Sequence, residues 1–415
     1  MYYDVDKLRQ IKYYIDSLCV YDVRDDEVVN ALYELLNDLD SSKMIRSYSK
    51  LFMAITENGS LKHHIAQCIL RNDNIYTRAC CTGQEHRLSK KILQAVKIDL
   101  DKLEKIASLK SNDIISRTFD DDYRKMLKTI PSWEVGESEA PLSEGWGECM
   151  QELAAYYQQN GYGIFSSNIA FAWREGKLMP ITSTDPVRLS DLKDYEEQRQ
   201  RVIENTEAFL TGVPANNVLL YGDRGTGKSA TVHAILNEYS IRGLRMIEVP
   251  KSAVSELSLI REAIADSPMK FIIFIDDLSF DSNDDSYAEL KASLEGSLSV
   301  KQANTLIYAT SNRRHLIREN FSDRQDDMHS GDVIQEQLSL SDRFGLTITF
   351  INPTKDDYLN IVKKIIEDRA IGFIDEEHLF EEAEKWAQRH GGRSPRSAKQ
   401  FADYVEGAVK RGVSW

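Results

Sequence analysis

Long apolar stretches and an excess of positive charge are missing from this sequence, and its first residues lead us to expect no secretory leader. No apolar run approaches the roughly 20 residues that a membrane-spanning helix needs, and acidic residues stand at the start, where an export signal would be basic and then apolar. The formal net charge is −14, so counterion release would favour binding to nucleic acid only at a local basic surface. We therefore expect a cytoplasmic protein without membrane association.

Cysteine is scarce, with Cys19, Cys68, Cys80, Cys81 and Cys149 the only examples. The count is odd, and we find neither a CxxC pair nor a metal-binding Cys/His spacing, so we expect free thiols rather than zinc. The adjacent Cys80 and Cys81 have two interpretations, a redox pair or two ordinary cysteines on a helix.

The 415 residues exceed one ordinary core and indicate several structural units. Apolar residues recur at helical spacing from Leu8 to about Leu127, where few glycines or prolines interrupt them. From about Asp185, short apolar runs alternate with longer amphipathic segments, which is typical of βαβ units. The pattern predicts four regions: a helical N-terminal domain (1–130), a linker with a small hairpin (131–184), an α/β core (185–352) and a helical tail (353–415), which the family resemblance described below identifies as a lid.

Five apolar runs in the core predict a five-stranded parallel sheet, because strands buried on both faces are continuously apolar. They are Val218–Tyr221, Met246–Val249, Phe271–Ile275, Thr305–Tyr308 and Leu346–Phe350. Two further short strands, at 169–173 and 178–181, flank a glycine turn and predict a hairpin, in which Pro180 favours an edge position.

The string GDRGTGKS at residues 222–229 fits the phosphate-binding pattern GxxxxGK[ST] between a predicted strand and a predicted helix. In such a loop the backbone N–H groups surround the phosphates, Lys228 reaches the β and γ phosphates, and the Ser229 hydroxyl binds Mg²⁺. The alternative is a glycine-rich turn that binds nothing. We predict that the nucleotide contacts Gly222, Asp223, Arg224, Gly225, Thr226, Gly227, Lys228, Ser229 and Ala230.

Two carboxylates follow the apolar run that ends at Ile275. We predict that Asp276 lies on the Mg²⁺ side and that Asp277 polarises the attacking water. The alternative is a pair of surface aspartates at a strand end. Together with the glycine loop, these residues predict ATP and Mg²⁺ as cofactors.

With these motifs in place, residues 185–405 resemble the AAA+ ATPases, and they are similar to a bacterial ATP-binding family known as domain of unknown function 815. The resemblance rests on residues 205–229, on the string IDDLSF at 275–280 and on LSLSDRFG at 338–345. It implies an α/β AAA+ core with a helical lid, ATPase activity, and assembly into a homo-oligomeric ring or partial ring.

The resemblance also implies roles for single residues. Asn312 corresponds to sensor 1, although an ordinary loop asparagine is the alternative. Arg343 corresponds to an arginine finger that enters a neighbouring subunit's site, with a structural ion pair to Asp342 or another acid as the alternative. Arg396, or in second place Arg393, corresponds to sensor 2, unless either only holds the lid helices together.

Two positions depart from the family pattern. Asp194 stands in the short element next to adenine, where many relatives have glycine, and Asp277 stands where most AAA+ proteins have the longer glutamate. The shorter side chain predicts slow hydrolysis.

The first functional hypothesis is an oligomeric Mg²⁺-dependent ATPase that remodels or loads a macromolecule, either protein or nucleic acid. The second is a nucleotide-gated switch with little hydrolysis. A third hypothesis, a small-molecule kinase, is not favoured, because it does not explain why Arg343 and Arg396 occur together. The basic run at 312–318 precedes several acidic residues, so a solvated loop of mixed charge is favoured there over a phosphate-binding surface. The long interval 313–337 is too polar for a core and predicts a loop that contacts a partner.

Overall fold

The computed structural model describes residues 4–117, 121–280, 286–295, 304–312, 343–372 and 375–415. The chain divides into two compact units. One unit comprises Met1–Ser167 and Asp266–Met269, and the other comprises Asn168–Ala265 and Lys270–Trp415.

The first unit is helical, as its apolar spacing predicts. Its helices are α1 (Asp4–Asp16), α2 (Glu27–Asp38), α3 (Met44–Glu57), α4 (Leu61–Leu70), α5 (Ile75–Cys81), α6 (Lys90–Ala107), α7 (Ser111–Arg117), α8 (Asp121–Leu127), α9 (Met150–Asn160) and α10 (Ile164–Ser167). Val28, Leu32 and Leu35 lie on one face of α2 and are completely buried, so this helix is held by its apolar stripe.

Side-chain caps fix the beginnings of several helices in this unit, including α2 and α4. Asp26 precedes α2 and accepts hydrogen bonds from the backbone N–H groups of Val28 and Val29. Ser60 precedes α4 and accepts one from His63. Such caps satisfy N–H groups that the helix itself leaves without a partner.

Strands and helices alternate in the second unit. The strands are β1 (Ala170–Arg174), β2 (Lys177–Pro180), β3 (Val218–Gly222), β4 (Leu244–Glu248), β5 (Lys270–Ile275), β6 (Thr305–Ser311) and β7 (Leu346–Phe350). The helices are α11 (Glu196–Leu210), α12 (Lys228–Tyr239), α13 (Leu257–Ala263), α14 (Ser286–Glu295), α15 (Lys355–Asp368), α16 (Glu376–Arg389) and α17 (Pro395–Arg411).

The described strands form one sheet in the order β2-β1-β4-β5-β6-β3-β7, in which only the β1–β2 pair is antiparallel. The α/β class with a parallel sheet is confirmed, but the prediction of five strands was wrong, because the sheet has seven. Strand β1 pairs in parallel with β4 and is buried, so the predicted hairpin extends the sheet. Pro180 lies in the edge strand β2, where a missing N–H breaks no ladder.

Three helices, α15, α16 and α17, form the lid that the family resemblance implies. They share an apolar cluster that includes Tyr358, Val362, Ala383, Phe401 and Val405. None of the described helices of the chain is both long enough and apolar enough to cross a membrane.

The order of the strands determines where polar residues meet. β3 lies between β6 and β7, and β5 lies on the far side of β6, all in parallel. The carboxyl ends of parallel strands meet at one edge of the sheet, so the residues that follow β3, β5 and β6 are brought together there.

Candidate nucleotide-binding site

The glycine loop joins the end of β3 to the start of α12. At Gly222, φ is +134°, and a Cβ atom would lie 1.9 Å from the carbonyl oxygen of Phe350, so only glycine fits. The next residue, Asp223, donates its N–H to that carbonyl at 2.8 Å, and its side chain accepts the N–H of Asn352 at 2.7 Å. The loop is therefore fixed against the end of β7.

Lys228, the first residue of α12, is buried, and its ammonium group reaches back over the loop. Its Nζ atom donates to the carbonyl oxygens of Gly222 at 2.9 Å and Asp223 at 2.7 Å, and to Asn312 Oδ1 at 3.3 Å. Burial lowers the pKa of Lys228, and the charge of Asp223 opposes this shift. The lysine thus carries a poorly solvated charge at a helix N-terminus, where an anionic phosphate would be stabilised.

Ser229 and Asp276, the two residues predicted on the Mg²⁺ side, lie in contact in the structure. The Ser229 hydroxyl donates to Asp276 Oδ1 at 2.7 Å, and the hydroxyl of Thr310 donates to the same oxygen. Thr310 Oγ1 also accepts the backbone N–H of Asp277 at 2.9 Å. A hydroxyl and a carboxylate on neighbouring elements are hard oxygen ligands of the kind that Mg²⁺ prefers.

Asp277, the next residue, has a left-handed backbone, with φ of +50°. Its carboxylate accepts a hydrogen bond from Asn312 Nδ2 at 2.5 Å. Asn312 therefore connects Asp277 with Lys228, using its amide nitrogen for one and its amide oxygen for the other.

Thr310 is the residue of this site that the sequence analysis did not identify. It is buried near the end of β6, two residues before Asn312. Its position two residues before the predicted sensor Asn312 is the feature of the sequence that could have indicated its role. A threonine in a strand is, however, usually explained by the packing of its β-branched side chain. Its two hydrogen bonds to consecutive aspartates depend on the register between β5 and β6, which the local sequence does not contain.

Above the glycine loop, the lid contributes the start of α17. The N–H of Arg396 donates to the carbonyl oxygen of Gly225 at 3.1 Å, and Ser394 caps the helix. The side chain of Arg393 instead forms two hydrogen bonds with Glu384, at 2.7 and 2.8 Å. Of the two predicted sensor 2 candidates, Arg396 lines the site, and Arg393 forms an ion pair within the lid.

The segment before α11 forms another wall of the site. Asp194 and Tyr195 both have left-handed backbones, with φ of +65° and +60°, a conformation that glycine adopts without strain. Tyr195 is buried, packs on Phe350 with ring centroids 5.2 Å apart, and donates its hydroxyl to Ile351 O at 2.6 Å. The carbonyl of Asp194 accepts a hydrogen bond from Arg199, which fixes this turn.

These walls enclose a cavity of about 1260 Å³. The loop residues 224–230, Asp276, Asp277, Asn312 and Arg396 all line it, as does Tyr195. Ile361 and Ile365 of α15 supply apolar surface. The cavity therefore joins a charged end at the glycine loop to a partly apolar end beside the lid, which suits a nucleotide.

Arg343 lies elsewhere. It precedes β7, whose first residue pairs with Val218 at the amino end of β3, whereas the glycine loop follows the carboxyl end of β3. A five-residue strand spans about 16 Å, and the described lining of the cavity does not include Arg343. The predicted partner Asp342 and the polar interval 313–337, which contains most of the basic run, lie outside the described residues.

Comparison with known proteins gives a family and distant structural similarities. No curated protein matches this chain. RuvB of Thermotoga maritima, described as a Holliday junction branch migration motor, is 16% identical over 55% of this chain and 66% of its own, with a TM-score of 0.39. The ORC1 protein of Aeropyrum pernix, solved in complex with DNA, is 19% identical over 53% of this chain and 61% of its own, with a TM-score of 0.38.

The family whose sequence profile matches is described as "Protein of unknown function (DUF815)", and the match extends over residues 166–409. This range is more than half of the chain and includes the whole site described above. The described residues have the α/β fold and the phosphate-binding type of glycine loop that the sequence predicts, and the protein belongs to the DUF815 family.

Proposed function

We propose that the protein is a Mg²⁺-dependent ATPase that works as a homo-oligomer and remodels or loads a macromolecular partner. The observation that carries this proposal is the connected set Lys228, Asn312 and Asp277, which lies beside the Ser229–Asp276 pair. In this arrangement a phosphate-binding charge, a metal-binding pair and a water-activating carboxylate face one cavity.

The glycine loop and Lys228 would bind the triphosphate. Backbone N–H groups of the loop and of the first turn of α12 would point at phosphate oxygens. The Lys228 ammonium, now hydrogen-bonded to neutral oxygens, would turn to the β and γ phosphates. The base and ribose would then lie toward Tyr195 and the apolar side of α15.

Ser229 Oγ and Asp276 would hold Mg²⁺, and both oxygens fit it. When bound, the cation would supply positive charge against the phosphate oxygens. Thr310 positions Asp276 by donating to the same carboxylate oxygen. Asp276→Asn should therefore weaken the dependence of turnover on Mg²⁺.

Asp277 would accept a proton from the attacking water, with Asn312 fixing the direction of the carboxylate. Arg396 would add positive charge from the lid, and its backbone bond to Gly225 links the lid to the loop that surrounds the phosphates. Arg343, distant from its own site, would complete the site of a neighbouring subunit.

The second candidate is a nucleotide-gated switch, and the contact between Asp277 and Asn312 favours it. Asp277 is one methylene shorter than glutamate, and its carboxylate is occupied by the Asn312 amide at 2.5 Å. A carboxylate held in this way approaches water less easily. This candidate predicts tight ATP binding with little turnover, even in the presence of a partner.

Asp277→Asn tests the proposal in the full chain. The amide keeps the shape of the side chain but cannot accept the proton, so we expect ATP affinity within a few-fold of the parent and turnover lower by about 10²-fold or more. The measurements are calorimetry with ATP and Mg²⁺, and steady-state phosphate release.

Glu248→Gln is the matched control, because Glu248 is an exposed carboxylate at the end of the neighbouring strand β4 and does not line the cavity. It should leave turnover unchanged. Parent-like hydrolysis in Asp277→Asn would show that another residue activates the water. Tight binding with negligible turnover in the parent itself would establish the switch.

A further inference from the structure

Three metal-ligating side chains converge in the helical unit, far along the sequence from the glycine loop. The ligand atoms of Asp26, His64 and Cys68 all lie within 4.8 Å of one another. His64 Nε2 lies 2.8 Å from Asp26 Oδ1 and 3.5 Å from Cys68 Sγ. The nucleotide site does not involve any of the three.

Local structure explains why they meet. His64 and Cys68 are four residues apart on α4, so they lie on one face of the helix, one turn from each other. Asp26 caps α2, and the N–H groups of Val28 and Val29 hold its carboxylate in place. The carboxylate is thus positioned before any ligand arrives, which lowers the cost of binding one.

Both short contacts of His64 involve the same ring nitrogen. In a nucleophilic Cys–His–Asp arrangement, the carboxylate binds one ring nitrogen and the thiol binds the other. Here Asp26 and Cys68 both approach Nε2. A single N–H points well at only one of two partners, whereas a cation between the three atoms accepts a lone pair from each.

The cluster opens into a cavity of about 540 Å³ with an excess of acidic residues. Its walls include Asp22, Asp25, Asp26 and Asp73, with Arg71 as the one arginine of this lining. The side chain of His64 is 13% exposed and that of Asp26 is 23% exposed. The ligands His64 and Asp26 are therefore partly shielded from water yet reachable. The lining keeps a small excess of negative charge beyond the ion pairs of Asp22 with Arg24 and of Asp73 with Arg78, and this excess favours a cation.

We propose that Asp26, His64 Nε2 and Cys68 Sγ bind one divalent transition-metal ion of the zinc class, with the fourth coordination position open to this cavity. An oxygen, a nitrogen and a sulfur ligand suit a borderline-soft ion, and three protein ligands with an open position are typical of reactive zinc sites. Bond lengths of 2.0–2.3 Å in a tetrahedron separate the ligand atoms by about 3.3–3.8 Å. The distance from His64 to Cys68 already fits this range, the distance from His64 to Asp26 would widen by about 0.5 Å, and Asp26 and Cys68 lie within 4.8 Å of each other.

The sequence did not reveal this cluster, and from the cysteines we expected free thiols. The spacing HxxxC between His64 and Cys68 is visible on a helix, but two ligands alone are weak evidence for a metal site. The third ligand comes from another helix 38 residues earlier, and only the fold brings it close.

The test is a titration of the metal-free full chain with Co²⁺ in the absence of nucleotide. Co²⁺ replaces zinc and shows a charge-transfer band only when a thiolate binds it, so the nucleotide site cannot produce the signal. We expect one equivalent to produce this band and one equivalent of Zn²⁺ to remove it. Cys68→Ser should abolish the band, and His64→Gln should weaken Co²⁺ binding at least 10-fold.

Asp26→Asn is the most informative variant, because asparagine caps a helix as well as aspartate does and the thiol remains. It should also weaken binding at least 10-fold, and it decides the question if Cys68→Ser fails to fold by circular dichroism. His63→Gln on the same helix and Cys19→Ser at an exposed thiol are matched controls that should bind like the parent. A parent without the band, a band that depends on Cys19, or parent-like affinity in Asp26→Asn would overturn the proposal.

Discussion

Lys228 in the sheet-containing unit and Asp99 in the helical unit are both buried charges, but their partners differ. Asp99 is completely buried, and its Oδ2 atom accepts three backbone N–H groups, from Cys19, Val20 and Tyr21. Lys102 adds a positive charge 3.7 Å from its other oxygen. Lys228 is 7% exposed and donates to three neutral oxygens.

The difference separates a structural charge from a functional one. Asp99 receives three N–H donors at Oδ2, and the positive charge of Lys102 lies near Oδ1, which itself has no hydrogen-bond partner among the described residues, so the fold compensates most of the burial of this charge. Lys228 donates hydrogen bonds, but none of these three acceptors carries a negative charge, and burial lowers its pKa. A buried charge of this second kind gains most from a charged ligand, which makes it a candidate for binding.

The largest effect is expected at Arg343, which tests whether the site of this unit is complete within one chain. A guanidinium from a neighbouring subunit would stabilise charge that develops only in the transition state. Arg343→Ala should therefore keep ATP binding and lower turnover by about 10³-fold or more. The measurements are calorimetry and phosphate release at several protein concentrations, since turnover per subunit should rise as subunits associate.

Mixing Arg343→Ala with Lys228→Ala distinguishes action between subunits from action within one. Each variant is inactive alone, but a mixed assembly places an intact Arg343 beside an intact Lys228 site, so activity should return. Arg242 is the matched control, because it is an arginine just before β4, at the same edge of the sheet as Arg343. Arg242→Ala should hydrolyse ATP normally, and folded, co-assembling variants that stay inactive when mixed would restrict Arg343 to its own subunit.

How much the sequence predicts also differs between the two units. Parallel strands place their carboxyl ends at one edge, so Asp276 and Asp277 could be assigned to the site of Lys228 from their place after an apolar run, and Asn312 from the family resemblance. Their pairwise contacts could not be assigned. The bond from Asn312 to Asp277 depends on the left-handed backbone of Asp277, which a single sequence does not show.

In the helical unit, the sequence predicts helices but not their contacts. Asp99 looks like any polar residue of α6, and the loop residues that it binds are 78 to 80 positions away. The prediction of five strands left out β1 and β2 for the same reason. The hairpin at 170–180 is visible in the local sequence, but its pairing with β4 is a long-range contact. Apolar periodicity predicts which face of a helix or strand is buried. The residues that it contacts far along the sequence are known only from the folded structure.

The second-largest effect is expected at Lys228 itself. Hydrogen bonds to charged groups contribute roughly 1.5–3 kcal/mol each, so losing its phosphate contacts in Lys228→Ala should weaken ATP binding by about 10²-fold or more. Stability without nucleotide should change little, because the lost charge was poorly solvated. Calorimetry and thermal unfolding measure the two quantities. Lys410, an exposed lysine of α17, is the control, and unchanged ATP affinity in Lys228→Ala would remove the glycine loop from the proposed function.

Asp99→Asn should show the opposite pattern, with stability reduced and nucleotide chemistry retained. Its three N–H bonds would pass from a charged to a neutral acceptor, which roughly halves their strength, and the new amide N–H₂ would face Lys102 in place of a carboxylate oxygen. We expect the free energy of unfolding of the helical unit to fall by about 1–3 kcal/mol, while ATP affinity stays at the parent value. Urea unfolding followed by circular dichroism measures the first quantity and calorimetry the second.

Asp101→Asn, two residues further along the same helix and half-exposed, should change stability by less than about 0.5 kcal/mol. If Asp99→Asn unfolds like the parent, the three N–H groups do not depend on its charge. That result would contradict the conclusion that Asp99 is a structural charge and Lys228 a functional one.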